Sequence, residues 1–183
     1  MTGKVSSFTE IHEEFAAYIG DIVYATMTTV DAKGRPRARM LIPVWEVVDG
    51  RPLGWLATYR TPVKAAHLAR NPHATFSYWT HRQNAVAVDT VAEWVADVEV
   101  TRRVWRLYEQ GSPPGAGYAL GAFWSGVDDP GLHVLRLTPW RVQVIPAATC
   151  AAASGRRTAP RDRVRCGPPG RHGPAGGRHR VTV

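Results

Sequence analysis

The sequence predicts an α+β fold, a closed or split β-barrel of about six mostly antiparallel strands with helices inserted between them. Three observations lead there. Short segments rich in β-branched and aromatic residues follow one another, separated by turn residues. Two segments with apolar residues at helical spacing interrupt the series, and a Thr-Pro pair announces a third, shorter helix.

Taken in order, Ser7-Phe8-Thr9-Glu10 matches a capping box, and Phe8, Ile11, Phe15, Tyr18 and Ile19 form one helical stripe before Gly20. A helix is therefore expected over residues 8–19. Residues 22–30 read as a strand, Asp31-Ala32-Lys33-Gly34 as a turn, and residues 35–48 as one long returning strand. Pro36 and Pro43 cannot donate to a ladder, which places that strand at an edge or gives it a bulge. Asp49-Gly50-Arg51-Pro52 turns the chain into a strand over residues 53–58.

Thr61 then serves as an N-cap with Pro62 at the first helical position, and the short helix it starts ends at Asn71-Pro72. Residues 74–79 read as a strand, 80–84 as a loop and 85–95 as a long strand. In that strand Val86, Val88, Ala92 and Trp94 share a face opposite Asp89 and Glu93. Asp97 caps a helix with Val100, Val104, Leu107 and Tyr108 as its apolar stripe. Residues 111–130 form a long Gly/Pro-rich loop, and residues 132–137 and 141–145 make one final strand broken at Pro139.

The chain divides into a patterned domain, residues 1–146, and a tail, residues 147–183. The tail's eight arginines against one acid, Asp162, give it +7, leaving the patterned domain only +1 of the total +8. It has no aromatic residue and no hydrophobic period, so it is expected to be disordered. The abrupt change to Gly, Ala, Pro and Arg, residues of GC-rich codons, supports the hypothesis of a shifted reading frame in the source gene. Translation of the genomic DNA in the other two frames tests it. As a nucleic-acid arm the tail would act by charge alone, without stacking side chains, so a nucleic-acid partner is not expected.

No apolar run approaches a membrane span, and no basic segment followed by an apolar stretch opens the chain, so a protein of the cytoplasm is expected. Cys150 and Cys166 lie in no metal-like spacing. His67, His73 and His81 share no metal-binding spacing on one element; His67 reads as a helix surface residue and His81 as a loop residue.

The start of the short helix is the candidate site. Its first amides have no intrahelical partner and sit at the positive end of the dipole, beside Lys64 and close to Arg60. Arg35, Arg37 and Arg39 alternate along a predicted strand, so a regular strand presents all three on one face. Together they suit a phosphorylated ligand. The competing readings are a solvated surface helix and charges that protect a sheet edge.

The serial order of helix, hairpin, Arg39-Met40-Leu41-Ile42, Ala57-Thr58, Lys64, Asn71-Pro72 and Tyr78-Trp79 resembles the pyridoxamine 5'-phosphate oxidase-like family of FMN-binding split barrels over residues 10–145. The resemblance implies a homodimer with FMN in a groove at its two-fold interface. It puts Arg39, Met40, Leu41 and Ile42 beside the flavin and its phosphate, and Ala57 and Thr58 along the ring or ribityl chain. Lys64 meets the phosphate, and Gln83 or Asn84 reaches in from across the interface.

This chain departs from the oxidase at several points. Pro62 and Val63 stand where the oxidase has a serine and an arginine, which leaves Arg60 as the substitute cation. Val44 replaces a lysine, and the oxidase's C-terminal substrate segment has no counterpart. The expected function is thus an FMN-dependent oxidoreductase acting on a small organic molecule other than the vitamin B6 phosphate, with no side chain required as acid or base. The alternatives are a deazaflavin-dependent reductase and a flavin- or haem-binding protein without turnover.

Overall fold

The structure, a computed structural model, describes residues 7–111 and 119–147. The tail from residue 148 and part of the 111–130 loop lie outside the described residues. The order is a 3-10 turn Phe8–Glu10, α1 His12–Ile22, β1 Ala25–Val30, β2 Pro36–Leu41, β3 Val44–Val48, β4 Arg51–Thr58, α2 Pro62–Arg70, β5 His73–Trp79, β6 Ala85–Val95, α3 Val98–Gln110, a second 3-10 turn Leu120–Ala122 and β7 His133–Ile145. All pairings are antiparallel, in the order β2-β1-β5-β6-β7-β4-β3. This is an α+β split barrel, and among the described residues no helix is long and apolar enough to cross a membrane.

Seven strands replace the expected six because residues 35–48 do not form one strand. The chain leaves the ladder at Ile42-Pro43, and its two halves pair with β1 and β4 at opposite edges of the sheet. Pro43, with no amide to donate, stands in the break. The final strand shows the reverse: β7 runs unbroken past Pro139, which faces Thr90, while Arg141 faces Asp89. The extra residue, Trp140, forms a bulge that accommodates the proline.

Helix α1 also differs from the expectation. Glu10 accepts from the Ser7 amide at 3.0 Å, but the box closes a 3-10 turn, and Gly20 lies inside the following α-helix. The helix continues because Ile22 still packs on the core, and it stops at Val23, whose φ of 63° belongs to a tight turn closed by Tyr24 N to Ile22 O at 2.7 Å. The other turns follow their residues: Gly34 at φ 78° closes the first hairpin, and Asp49-Gly50, both at positive φ, connect β3 to β4.

Apolar side chains form two clusters on the two faces of β4. Leu56 joins Phe15, Met27, Phe76, Tyr78, Val88, Leu135 and Leu137 on one side. Trp55 joins Ile42, Val44, Val104, Tyr108, Leu120 and Trp124 on the other, beneath α3. Trp45 closes the first cluster, edge-on to Phe15 and Phe76 and donating to Tyr78 Oη at 2.7 Å.

Gly54 faces Trp45 across the β3–β4 pair, and a Cβ built on it falls 2.5 Å from Trp45 Cζ3. The Gly54→Ala variant is therefore expected to push the indole off its partners and lower unfolding stability by about 1–3 kcal/mol in a denaturant titration.

Candidate functional site

Helix α2 lies where the split opens. Thr61 caps it, its hydroxyl accepting from the Lys64 amide at 3.4 Å, and Pro62 occupies the first turn. Lys64, His67 and Leu68, spaced i, i+3, i+4, form the buried face, laid over β1. An apolar stripe is usual in such a place; here Lys64 is 5% exposed and His67 8%.

The Lys64 ammonium donates to Thr58 Oγ1, at the end of β4, and to the Tyr59 carbonyl at 2.9 Å. One of its three protons is left for a ligand. Thr58 Oγ1 accepts from Lys64, so its own proton is free to point elsewhere. Arg39 approaches from β2, where it stands opposite Met27 on the inner face, and donates from Nη1 to Thr29 Oγ1 at 3.0 Å. Burial, with the charge of Arg39 second, brings the Lys64 pKa down to about 8. Burial and then Arg37 hold Arg39 below its usual value.

Two neighbouring cations, Lys64 buried and Arg39 half-buried, thus meet beside Thr58 and Thr29. Among the described residues no carboxylate forms an ion pair with either. Such a pair is costly unless something neutralises it, and an anion with several acceptor oxygens is the chemical complement. Arg37 shares this face, whereas Arg35 precedes β2 and is tied to Asp31 at 2.7 Å, so two arginines rather than three remain on the strand.

The other predicted residues divide into those at the split and those away from it. Leu41 packs on the first core cluster, and Ile42 and Ala57 belong to the second. Met40 projects from the opposite face and is 61% exposed. Arg60 is exposed with its guanidinium 5.4 Å over the Trp94 ring. Gln83 and Asn84 lie in the β5–β6 turn. The pairings Thr58 with His133 and Val134 with Val95 put Thr58 level with the other end of β6, so one chain does not bring Gln83 or Asn84 to Lys64.

His67 corrects its sequence reading, for it is a buried member of the cluster rather than a surface residue. Thr29 was missed altogether. Both carried a signal: His67 falls on the i+3 position from Lys64, and Thr29 continues the inward alternation of Ala25 and Met27. Tyr78 is core and Trp124 is buried beneath α3, whereas Trp79 is 61% exposed.

Tyr108 holds the split itself. Continuing the β3–β4 register places Ile42 opposite Ala57, but the two backbones do not bond there. Instead the Tyr108 hydroxyl accepts from the Ala57 amide at 3.1 Å and donates to the Ile42 carbonyl at 2.6 Å. A side chain from α3 thus satisfies two backbone groups left by the strand break and fixes two stretches of the candidate site against each other.

The fold is a split barrel, and Lys64 and Arg39 form its candidate anion site. Residues 11–145 match the family model described as pyridoxamine 5'-phosphate oxidase, and the chain belongs to the pyridoxamine 5'-phosphate oxidase-like family. Solved structures share the fold. General stress protein 26 of Bacillus anthracis is 15% identical, with 74% of this chain and 94% of that one covered at a TM-score of 0.57. A Clostridium acetobutylicum protein related to general stress protein 26 is 14% identical, with 75% and 89% covered at 0.60. The Mycobacterium tuberculosis protein Rv2991 is 20% identical, with 90% and 98% covered at 0.57. No curated protein sequence matches the chain.

Replacing Tyr108 by Phe strands the Ile42 carbonyl and the Ala57 amide. A loss of about 1–3 kcal/mol in unfolding stability is expected, together with faster hydrogen exchange at Ala57.

Proposed function

We propose that this chain is an FMN-dependent oxidoreductase acting, as a homodimer, on a small organic molecule. The observation that carries the reading is the pairing of buried Lys64 with half-buried Arg39, neither of which has a carboxylate partner among the described residues. The donor set fits a phosphate monoester: one ammonium proton, the remaining guanidinium donors and the Thr58 hydroxyl.

Lys64 and Arg39 would hold the phosphate, and Met40, Leu41, Ile42, Ala57 and Thr58 would lie along the rest of the cofactor. Bound flavin supplies hydride or single-electron transfer to a substrate. The chain's part is to neutralise the phosphate, orient the ring and keep the groove shaped through Tyr108. Arg60, engaged with Trp94, stays outside this set.

The outer sheet face supports the dimer. Met40, Thr26 and Ser77 are aligned across β2, β1 and β5, and Trp79 continues the exposed side of β5 toward the Gln83-Asn84 turn. A second copy packed on this face would cover Met40 and Trp79, and would supply Gln83 or Asn84 to a groove that their own chain does not reach.

The test is a visible-absorbance titration of the purified protein with FMN and, separately, with the deazaflavin cofactor, alongside its mass in solution. Stoichiometric FMN uptake by a dimer, weakened at least tenfold in Lys64→Ala, is the expected result. Selective deazaflavin uptake would keep the anion site and replace the cofactor. Unchanged FMN affinity in Lys64→Ala, or no binding of either cofactor, would overturn the assignment.

The pH dependence has a fixed sign. Lys64 is charged below about 8 and neutral above it, and a bound phosphate raises that value, so FMN affinity is expected to fall as pH rises past about 8. The protein without ligand behaves oppositely: its unfolded lysine keeps the ordinary value of 10.5, so stability from this group rises between about 8 and 10.5. Isothermal titrations and denaturant midpoints over that range check both directions.

A further inference from the structure

Thr29 is fully buried on β1, and its hydroxyl joins two side chains from different elements. Arg39 Nη1 lies 3.0 Å from Thr29 Oγ1, and His67 Nδ1 lies 3.0 Å from the same oxygen. A guanidinium only donates, so Thr29 Oγ1 accepts from Arg39. When the His67 ring carries its proton on Nε2, its Nδ1 accepts the Thr29 hydroxyl proton.

We propose that Thr29 and His67 are positioning residues for the anion site: the His67–Thr29 pair fixes the hydroxyl lone pair that aims Arg39 toward the ligand held by Lys64. The inference rests on the phosphate reading above and adds two residues that touch no ligand. Three features support it. Thr29 occupies an inward position whose neighbours in the alternation, Ala25 and Met27, are apolar, so its hydroxyl is there at a desolvation cost. The hydroxyl bridges two named partners. His67 shares the buried face of α2 with Lys64, so one helix carries both the ligand's cation and the anchor of the second cation.

The relay also answers how two cations stay together before a ligand arrives. Arg39 on an edge strand has open water on one side, and repulsion from Lys64 and Arg37 favours its swinging there. A directed hydrogen bond to a buried hydroxyl opposes that swing. The ligand then meets a guanidinium already in place, which lowers the ordering cost of binding.

The experiment uses the full chain in two arms. Nitrogen-15 NMR of His67 reads the tautomer without any ligand: an unprotonated Nδ1 and protonated Nε2 are expected, and a protonated Nδ1 would overturn the relay. In the second arm FMN, riboflavin and inorganic phosphate are titrated into wild type, Thr29→Val, Thr29→Ser, Arg39→Met and the Thr29→Val/Arg39→Met double variant. Thr29→Val is expected to weaken FMN and phosphate about tenfold, Thr29→Ser to restore them to within about twofold, and riboflavin to be held equally by all.

In the Arg39→Met background Thr29→Val should add nothing, because Thr29 acts only through Arg39. Full additivity of the two changes, or an equal loss of riboflavin, would show a general structural role and overturn the proposal. Phosphate binding with this pattern but no FMN binding would sustain the relay and defeat the flavin reading; binding of neither by the wild type would defeat both.

Discussion

The break after Ile42 is the constraint on which the rest depends. A strand that continued through Pro43 would tie residues 36–48 into one edge, and the barrel would have no opening. Instead β2 and β3 part to opposite edges, and the unpaired Ile42 carbonyl and Ala57 amide meet a tyrosine hydroxyl from α3. Proline explains why the ladder stops, since it offers no amide. Tyr108 explains why stopping is tolerated, since buried backbone groups are satisfied without pairing the strands.

At this opening the fold concentrates charge that it does not neutralise. Several cations elsewhere meet acids: Arg35 with Asp31, Arg103 with Glu46, Arg136 with Glu93 and Arg141 with Asp89. Lys64 and Arg39 instead are held by a carbonyl and two hydroxyls, partners that position a cation without cancelling it. Pairing them with carboxylates would favour the free protein but leave little for an anion to gain. A site held by neutral acceptors keeps its electrostatic attraction for the ligand.

Polar residues placed in apolar registers mark the same region. Thr29 on β1, Thr58 on β4, and Lys64 and His67 on α2 all sit where alternation or helical spacing calls for hydrophobic side chains. Each carries a desolvation cost that packing alone does not require. Their convergence from three separate elements sets this candidate site apart from isolated core polar groups.

Much was legible in the residues themselves. Thr61-Pro62 set the start of α2, Asp97 that of α3, Asp31 to Gly34 and Asp49-Gly50 the hairpin turns, and alternation gave residues 85–95 as one strand, because each depends on local backbone preference. Lys64 and Arg39 stood out by type and spacing, and the order of motifs gave the family. The tertiary structure decided what local rules leave open. Proline at 43 broke a strand whereas proline at 139 only bulged one, and the difference lies in their partners: β7 is held between β6 and β4, while the chain at Pro43 leaves β1 for β4. It likewise decided that Gly20 stays helical, that Arg60 turns to Trp94, and that His67 is buried against Thr29. Those outcomes depend on which distant surface covers each residue, and burial is a property of the packed whole that no single segment carries.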